Sequence, residues 1–381
     1  MMASVGDLAA RDRPLRIGFD GRALVSPAAG VRRYTRELFG ALSRIDGLTV
    51  VAIGAPAAAD LPGLVQRVPP KTSLPTNAGW MLSGLPRSAR RAQLDVFHAP
   101  SYTAPIGGPR PLVLTIHDVC YARQPAWYPY RRDRVRRAFY RHSARSADRI
   151  VTDSEFSRRE IMAAYNIPRE SIDVVPLAAA PVFGPGPCLA LPARFAAPLV
   201  LHVGDLHPRR NIPMLVRAVA AARRRSPALR SLTLVLVGVD RGMDGRLHAT
   251  PAVASGDRPL VEWVTDAPED QLVALYRSAA ALVYPSRYEG FGLPLLEAMA
   301  CGTPVLAAHT SSIPEVTGEA AVLLDPDDED GWSAAIERIC TDAAHQSRLR
   351  ALGLRRAALF SWRRTAEETA RVYRSLANRL S

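Results

Sequence analysis

Short apolar runs recur along the chain, each ended by glycine, proline or charged residues, with longer stretches of helical period between them. In the first half, Leu15 to Phe19, Thr49 to Ile53, Val96 to His98, Leu112 to Ile116, Arg149 to Thr152 and Ile172 to Val175 predict strands, and Tyr34 to Ser43 predicts a helix. Strand and helix signals in alternation point to a doubly wound α/β domain. A Pro- and Gly-rich passage from Ala180 to Pro198 interrupts the period and reads as a linker. The pattern restarts at Leu199 to Val203 and continues with strands at Leu232 to Val237, Val261 to Val264, Ala281 to Tyr284, Val305 to Ala307 and Val322 to Leu324. The predicted division is a first α/β domain over 14–184, a linker over 185–198, a second α/β domain over 199–362 and a terminal helix over 363–381.

One of these strands leads into the most informative stretch of the chain. Pro285 ends the run Ala281 to Tyr284, and Gly290 and Gly292 then remove side chains where a ligand approaching the backbone would need space. Pro294 suits the start of a helix, Leu295, Leu296, Ala298 and Met299 continue it, and Gly302 stops it. A strand, a glycine loop and a helix N-terminus in succession form an anion site, with phosphate the natural guest. Glu289 in the loop and Glu297 after the first helical turn flank that site, and carboxylates there suit the hydroxyls of a sugar or ribose. The plainer reading is that Glu297 answers the helix dipole and Glu289 is a solvated loop residue.

Other groups emerge at equivalent places. Arg209 and Arg210 follow the strand Leu199 to Val203 at a strand-to-helix turn, where charge-assisted bonds to a diphosphate are available. His117 and Asp118 follow Leu112 to Ile116 at the carboxyl end of a strand. Gly30 and Val31 lie in a predicted turn, Gly30-Val31-Arg32-Arg33-Tyr34, that opens the first helix. Asp325-Pro326-Asp327 has the spacing of a divalent-cation motif, but the acidic run through Asp330 directly precedes Trp332 to Ile336 and reads as helix capping, so no metal is expected.

Together the Glu289-x7-Glu297 spacing, the Ser311-Ser312-Ile313-Pro314-Glu315 segment, the Thr115-Ile116-His117-Asp118 segment and the Asp95 to Tyr102 stretch resemble the retaining glycosyltransferases of family 4, over about Leu15 to Leu376. Within that family the chain is most similar to bacterial O-antigen and exopolysaccharide mannosyltransferases. The resemblance implies the GT-B fold, in which two Rossmann-like domains face each other across a cleft, the donor nucleotide on the C-terminal side and the acceptor on the N-terminal side. It also implies that the terminal helix packs back on the first domain. By the same resemblance Glu297 holds ribose hydroxyls, and Glu289 and His117 lie by the transferred sugar. Arg209 and Arg210 hold the diphosphate, the backbone of Gly290, Phe291, Gly292 and Leu293 reads sugar and phosphate, and Gly30, Val31 and Asp118 belong to the acceptor or phosphate loop. Three departures stand out: Asp205 stands where one form of the family has arginine, Arg210 where lysine is usual, and Arg32 replaces a second glycine.

Composition narrows the partners. At 381 residues and 48% hydrophobic, the chain can fill two cores. It shows no apolar run of the ~20 residues that span a bilayer, and Met1 to Arg13 lacks a signal-peptide core, so a cytoplasmic protein is expected. Cysteines at 120, 188, 301 and 340 have neither metal-site nor disulfide-framework spacing. The net charge of +13 is almost all arginine, Lys71 being the one lysine. No nucleic-acid signature accompanies it, and an anionic sugar nucleotide fits better. The arginines from Arg131 to Arg145, interleaved with Val135, Phe139 and Tyr140, predict a helix that either lies peripherally on anionic lipid at the inner face of the plasma membrane or is simply solvated.

The sequence therefore predicts a metal-independent, retaining hexosyltransferase that requires no cofactor. GDP-mannose is favoured over UDP-sugars as donor, and a glycan or lipid-linked molecule is the acceptor. Glu297→Ala and Arg210→Ala are expected to lose transfer with folding intact. The alternatives are a sugar-nucleotide epimerase or phosphorylase-like enzyme on the same fold, and a non-catalytic module for anionic surfaces.

Overall fold

The computed structural model describes residues 13–69, 79–128, 132–187, 191–195, 198–241 and 260–379. Lys71, Arg131, Cys188, Leu380, the leader reading over residues 1–12 and linker residues 188–190 and 196–197 lie outside these segments. Strands β1 (Leu15–Asp20), β2 (Leu48–Ile53), β3 (Gln66–Val68), β4 (Val96–Ala99), β5 (Leu112–Thr115), β6 (Arg149–Thr152) and β7 (Ile172–Val174) form one sheet in the order β3-β2-β1-β4-β5-β6-β7. Helices α1 (Ala29–Leu42), α2 (Leu85–Arg91), α3 (Cys120–Arg123), α4 (Arg134–Ser146) and α5 (Glu155–Tyr165) connect them.

The second sheet has the order β10-β9-β8-β11-β12-β13, from β8 (Leu199–Val203), β9 (Thr233–Val237), β10 (Val261–Val264), β11 (Ala281–Tyr284), β12 (Val305–Ala308) and β13 (Ala321–Leu324). Its helices are α6 (Ile212–Arg225), α7 (Glu269–Ser278), α8 (Leu293–Cys301), α9 (Ile313–Thr317), α10 (Glu329–Thr341) and α11 (Ala343–Ala357), and α12 (Trp362–Ala377) follows them. The strands β4, β5, β8, β9, β11 and β12 are buried at every residue, as parallel strands covered on both faces require.

In both sheets the strand order reverses beside the first strand, between β1 and β4 in one and between β8 and β11 in the other. Connections then leave to opposite faces, and a crevice opens at the carboxyl ends of those two strands.

All seven strands of the first sheet precede the predicted linker, and all six of the second follow it. The compact units cut the chain differently. One comprises Met1–Thr115, His142–Val151 and Ala366–Ser381, and the other Ile116–Arg141 and Thr152–Thr365. The segments after β5 and β6, placed by sequence in the domain 14–184, thus belong with the second unit because they bond to its loops, Ser154 Oγ donating to the Gly290 carbonyl at 2.7 Å. From Ala366 onward, α12 belongs with the first unit. There the buried Tyr373 hydroxyl lies 2.6 Å from His98 Nδ1, His98 Nε2 lies 2.6 Å from Thr115 Oγ1, and Tyr34 completes the chain at 2.7 Å from the same threonine.

Three local expectations change. The turn predicted at Gly30 and Val31 is the first turn of α1, which begins at Ala29 because nothing in Ala29-Gly30-Val31 opposes helical backbone strongly enough to delay it. Strand β3 has no apolar alternation to announce it, being a polar edge strand of three residues. On α4 the arginines 134, 136, 137, 141 and 145 are exposed, whereas Phe139 and Tyr140 are half-buried, with Tyr140 edge-on to Tyr121 at 4.7 Å. The apolar side of that helix is therefore largely turned to the protein, and Val135 alone of the three is fully exposed.

Candidate active site

The crevice of the second sheet is built from the ends of β8 and β11. After Val203 the chain passes Gly204, whose φ of 136° is closed to L side chains and whose added Cβ would lie 3.1 Å from the Arg210 guanidinium carbon. A single 3-10 turn, Pro208–Arg210, then delivers both arginines before Asn211 (φ 55°) starts α6. Arg210, 8% exposed, packs its guanidinium over the Tyr284 ring at 5.0 Å, donates to Ser286 Oγ at 3.2 Å, and is closely hydrogen-bonded to the Tyr284 hydroxyl and to Glu289 Oε1. Arg209 Nη1 donates to the Tyr288 carbonyl at 2.9 Å and to Glu289 Oε2 at 3.1 Å. The sequence separated these residues by 80 positions, and the sheet order brings them together.

Burial pushes the Glu289 carboxyl up, but Arg209 and Arg210, helped by Ser286 and Tyr284, outweigh it and hold the carboxyl below its ordinary value. Burial opposes the charge of Arg209, yet Glu289 and Asp118 keep it firmly protonated. Two nearby histidines, His202 in β8 and His207 in the loop after it, are neutral near pH 7: burial and Arg210 lower His202 to about 3, and burial with Arg209 and Arg210 lowers His207 to about 4.

The glycine loop is held from behind by the two serines of the 311–315 segment. Ser311 Oγ accepts from the Glu289 N–H at 3.0 Å, and Ser312 Oγ contacts the carbonyls of Glu289 and Phe291 at 2.9 and 3.1 Å. Phe291 is buried, edge-on to Phe360 at 6.2 Å. Gly292 (φ 99°) caps α8, with Leu293 and Pro294 in its first turn, and Gly302 (φ 77°) ends it. Glu297 is 2% exposed and accepts from the Tyr276 hydroxyl at 2.8 Å. The two carboxylates of the motif thus have different partners, arginines for Glu289 and a tyrosine for Glu297.

His117 and Asp118 approach the same loop. A methyl group on Gly290 would sit 2.1 Å from the His117 carbonyl oxygen and 2.9 Å from Asp118 Cβ, so only glycine permits this approach. Asp118 Oδ1 accepts from the Cys120 N–H at 3.0 Å. Sequence reasoning missed Asp153 and Ser157, which bond to His117, Ser154, which bonds to the Gly290 carbonyl, and Tyr276, which holds Glu297. The strand register could have found the first: β5 and β6 pair with a constant offset, Val113 with Arg149 and Thr115 with Val151, which sets residue 153 opposite residue 117. Asp328 caps α10, its Oδ1 accepting from Gly331 N at 2.9 Å; Asp325 Oδ1 accepts from Asp327 N at 2.8 Å, and the Asp327 carboxylate pairs with Arg287.

The crevice of the first sheet, within the first unit, is a cavity of about 320 Å³ lined by Asp20, Arg22 and Val31 on one side and Met81, Pro100 and Ser101 among others. Arg22 pairs with Asp20 at 2.8 Å and stacks on Trp80 at 4.9 Å. Trp80 in turn fits only because Gly54 and Gly84 lack side chains, whose Cβ atoms would lie 2.3 and 2.5 Å from its ring. Val31 lines this cavity, while the space outside Gly30 is open.

Comparison with known proteins agrees with this geometry. The profile described as Glycosyltransferase Family 4 matches residues 28–179, and that described as Glycosyl transferases group 1 matches residues 197–342. The O-antigen chain mannosyltransferase B of Escherichia coli is 30% identical over 393 aligned positions, spanning 95% of this chain and 100% of that protein. Among solved structures, sucrose-phosphate synthase from Thermosynechococcus elongatus superposes with a TM-score of 0.73 at 22% identity, over 96% of this chain and 99% of that one. Anabaena Alr3699/HepE in complex with UDP and glucose gives 0.70 at 18% identity, over 95% and 100% of the two chains. With two parallel sheets of this order and matches over both halves, the chain belongs to glycosyltransferase family 4 and has the GT-B fold.

Proposed function

We propose that this glycosyltransferase moves a mannosyl group from GDP-mannose, with retention of configuration and without a metal ion, to a glycan or lipid-linked acceptor in bacterial polysaccharide assembly. The observation that carries the reading is the buried cluster of Arg209, Arg210 and Glu289 at the switch point of the second sheet. Two fixed guanidinium groups, set against Glu289 with Asp118 also acting on Arg209, stand where the fold opens its crevice, which suits a diphosphate. As the glycosidic bond breaks, negative charge collects on the departing diphosphate, and fixed arginines in a water-poor site stabilise it without a cation. The first turn of α8 adds its N–H groups. Mannose as the sugar rests on the similarity to the E. coli O-antigen chain mannosyltransferase B. The cavity at Asp20, Arg22 and Ser101, with paired charges, hydroxyls and apolar walls, has the mixed lining that a sugar acceptor needs.

Thermal-shift titration against GDP-mannose, GDP and a panel of UDP-sugars, followed by donor-consumption assays, tests the reading. Stabilisation and turnover are expected with GDP-mannose, and both are expected to fall by about 100-fold or more in Glu297→Ala. Turnover of UDP-sugars alone would reject the donor, and unchanged turnover in Glu297→Ala would reject the site.

A further inference from the structure

The turn that follows β6 carries a carboxylate that no part of the family motif specifies. Asp153 is 2% exposed and its Oδ2 lies 2.8 Å from His117 Nδ1. Its place follows from the register of β5 and β6, which continues one alternate residue beyond the paired strands and puts the two side chains on the same face. The flanking residues lock that geometry: Thr152 Oγ1 donates to the Ile116 carbonyl at 2.6 Å, and Ser157 Oγ donates to the His117 carbonyl at 2.9 Å. The same turn also reaches the glycine loop, with Ser154 Oγ and Ser157 Oγ on the Gly290 carbonyl at 2.7 and 3.0 Å. Its backbone is fixed by Glu315, whose carboxylate oxygens accept from the N–H groups of Glu155 and Phe156 at 2.8 Å each.

A carboxylate can only accept, so the ring nitrogen facing Asp153 carries the proton. In the neutral form of the ring this leaves the lone pair at Nε2, where it accepts a hydrogen bond from a hydroxyl instead of giving one. Burial raises Asp153 above its ordinary value, and the histidine opposes that rise, so the carboxylate depends on the ring as much as the ring on it.

We propose that Asp153 is a positioning residue of the transfer reaction: it holds His117 as the Nδ1–H tautomer and offers Nε2 to a substrate hydroxyl as an acceptor. The proposal rests on the reading of His117 as part of the donor-sugar site. It is independent of the diphosphate contacts at Arg209 and Arg210.

Two measurements on the full chain separate the pairing from its role. Nitrogen-15 NMR of the histidine rings should show His117 protonated at Nδ1 in the wild type, with the preference lost in Asp153→Ala. Steady-state transfer from GDP-mannose should show kcat falling by at least about tenfold in Asp153→Asn with the donor KM changed less than about threefold. Asp153→Ala should add no further loss to His117→Ala, because the carboxylate acts only through the ring. Melting transitions within a few degrees of the wild type in Asp153→Asn and Asp153→Ala establish that folding is not what was lost; should Asp153→Ala melt early, the Asp153→Asn tautomer and its kcat-to-KM split decide. An Nε2-protonated wild-type ring, or full kcat in Asp153→Asn beside a damaged His117→Ala, overturns the proposal. Full activity in His117→Ala overturns instead the site reading beneath it.

Discussion

A methyl group at residue 290 would lie inside the van der Waals radius of the His117 carbonyl oxygen, so Gly290→Ala must move either the glycine loop or the His117 segment. The expected result is a transfer rate lowered by about 100-fold, as for displacement of a reacting group by about 1 Å, with a stability cost of about 1–3 kcal/mol; activity and urea-unfolding measurements on the variant check both. The same close packing alters the expectation for Arg210. Its removal leaves Glu289 buried with one partner fewer, so Arg210→Ala should cost about 3–5 kcal/mol of stability besides activity, and the sequence alone gave no sign that this arginine was buried. His202 gives a pH signature. Its folded value near 3 lies below the unfolded value of 6.5, so between those limits the unfolded chain takes up a proton that the folded chain refuses. Stability from this residue is complete above pH 6.5 and is lost as pH falls, at up to about 1.4 kcal/mol per pH unit. In His202→Phe the drop in unfolding free energy between pH 6.5 and 5 should shrink by about 1.5–2 kcal/mol, while His207 keeps its own share. An unchanged pH dependence would contradict the assignment.

At the scale of elements, the continuous apolar runs were legible because parallel strands covered on both faces must be apolar throughout. The predicted limits of Leu199 to Val203 and Ala281 to Tyr284 coincide with the wholly buried β8 and β11; those of Arg149 to Thr152 and Val261 to Val264 coincide with β6 and with β10, an edge strand that is half-buried and carries Glu262. Elements without that burden were not legible: β3 is an exposed edge, and α1 starts five residues before its apolar stripe does. The loop motif at 289–302 was legible as a strand, loop and helix, but its supports were not. Ser311 and Ser312 stood in a segment that the resemblance marks, but their bracing of the loop was not visible there, and nothing local announces Ser154 and Ser157; all four reach the loop through hydroxyl bonds to partners distant in sequence. The terminal helix provides a test at this scale. In Tyr373→Phe, His98 Nδ1 loses a buried partner within the first unit, which should cost about 1–3 kcal/mol. Amide exchange should then quicken in the segment from Ala366 onward, and protection equal to the wild type would deny the anchor.

For the whole molecule, the instructive fact is that each sheet places its cavity or charge cluster at the point where its strand order reverses. The first offers paired charges and hydroxyls around Asp20 and Ser101, and the second two arginines and a carboxylate. Both belong to one chain of glycosyltransferase family 4, and each half matches its own profile. The function proposed above assigns donor recognition to the second and acceptor recognition to the first. The most direct test of this account is proton NMR of the enzyme with GDP-mannose and an oligosaccharide or lipid-linked acceptor, reading the anomeric signal of the product. The account predicts a new mannosyl linkage with the donor's α configuration, formed only when acceptor is present and absent in Glu297→Ala. An inverted anomer, or a sugar product formed from the donor alone at full rate, would contradict it.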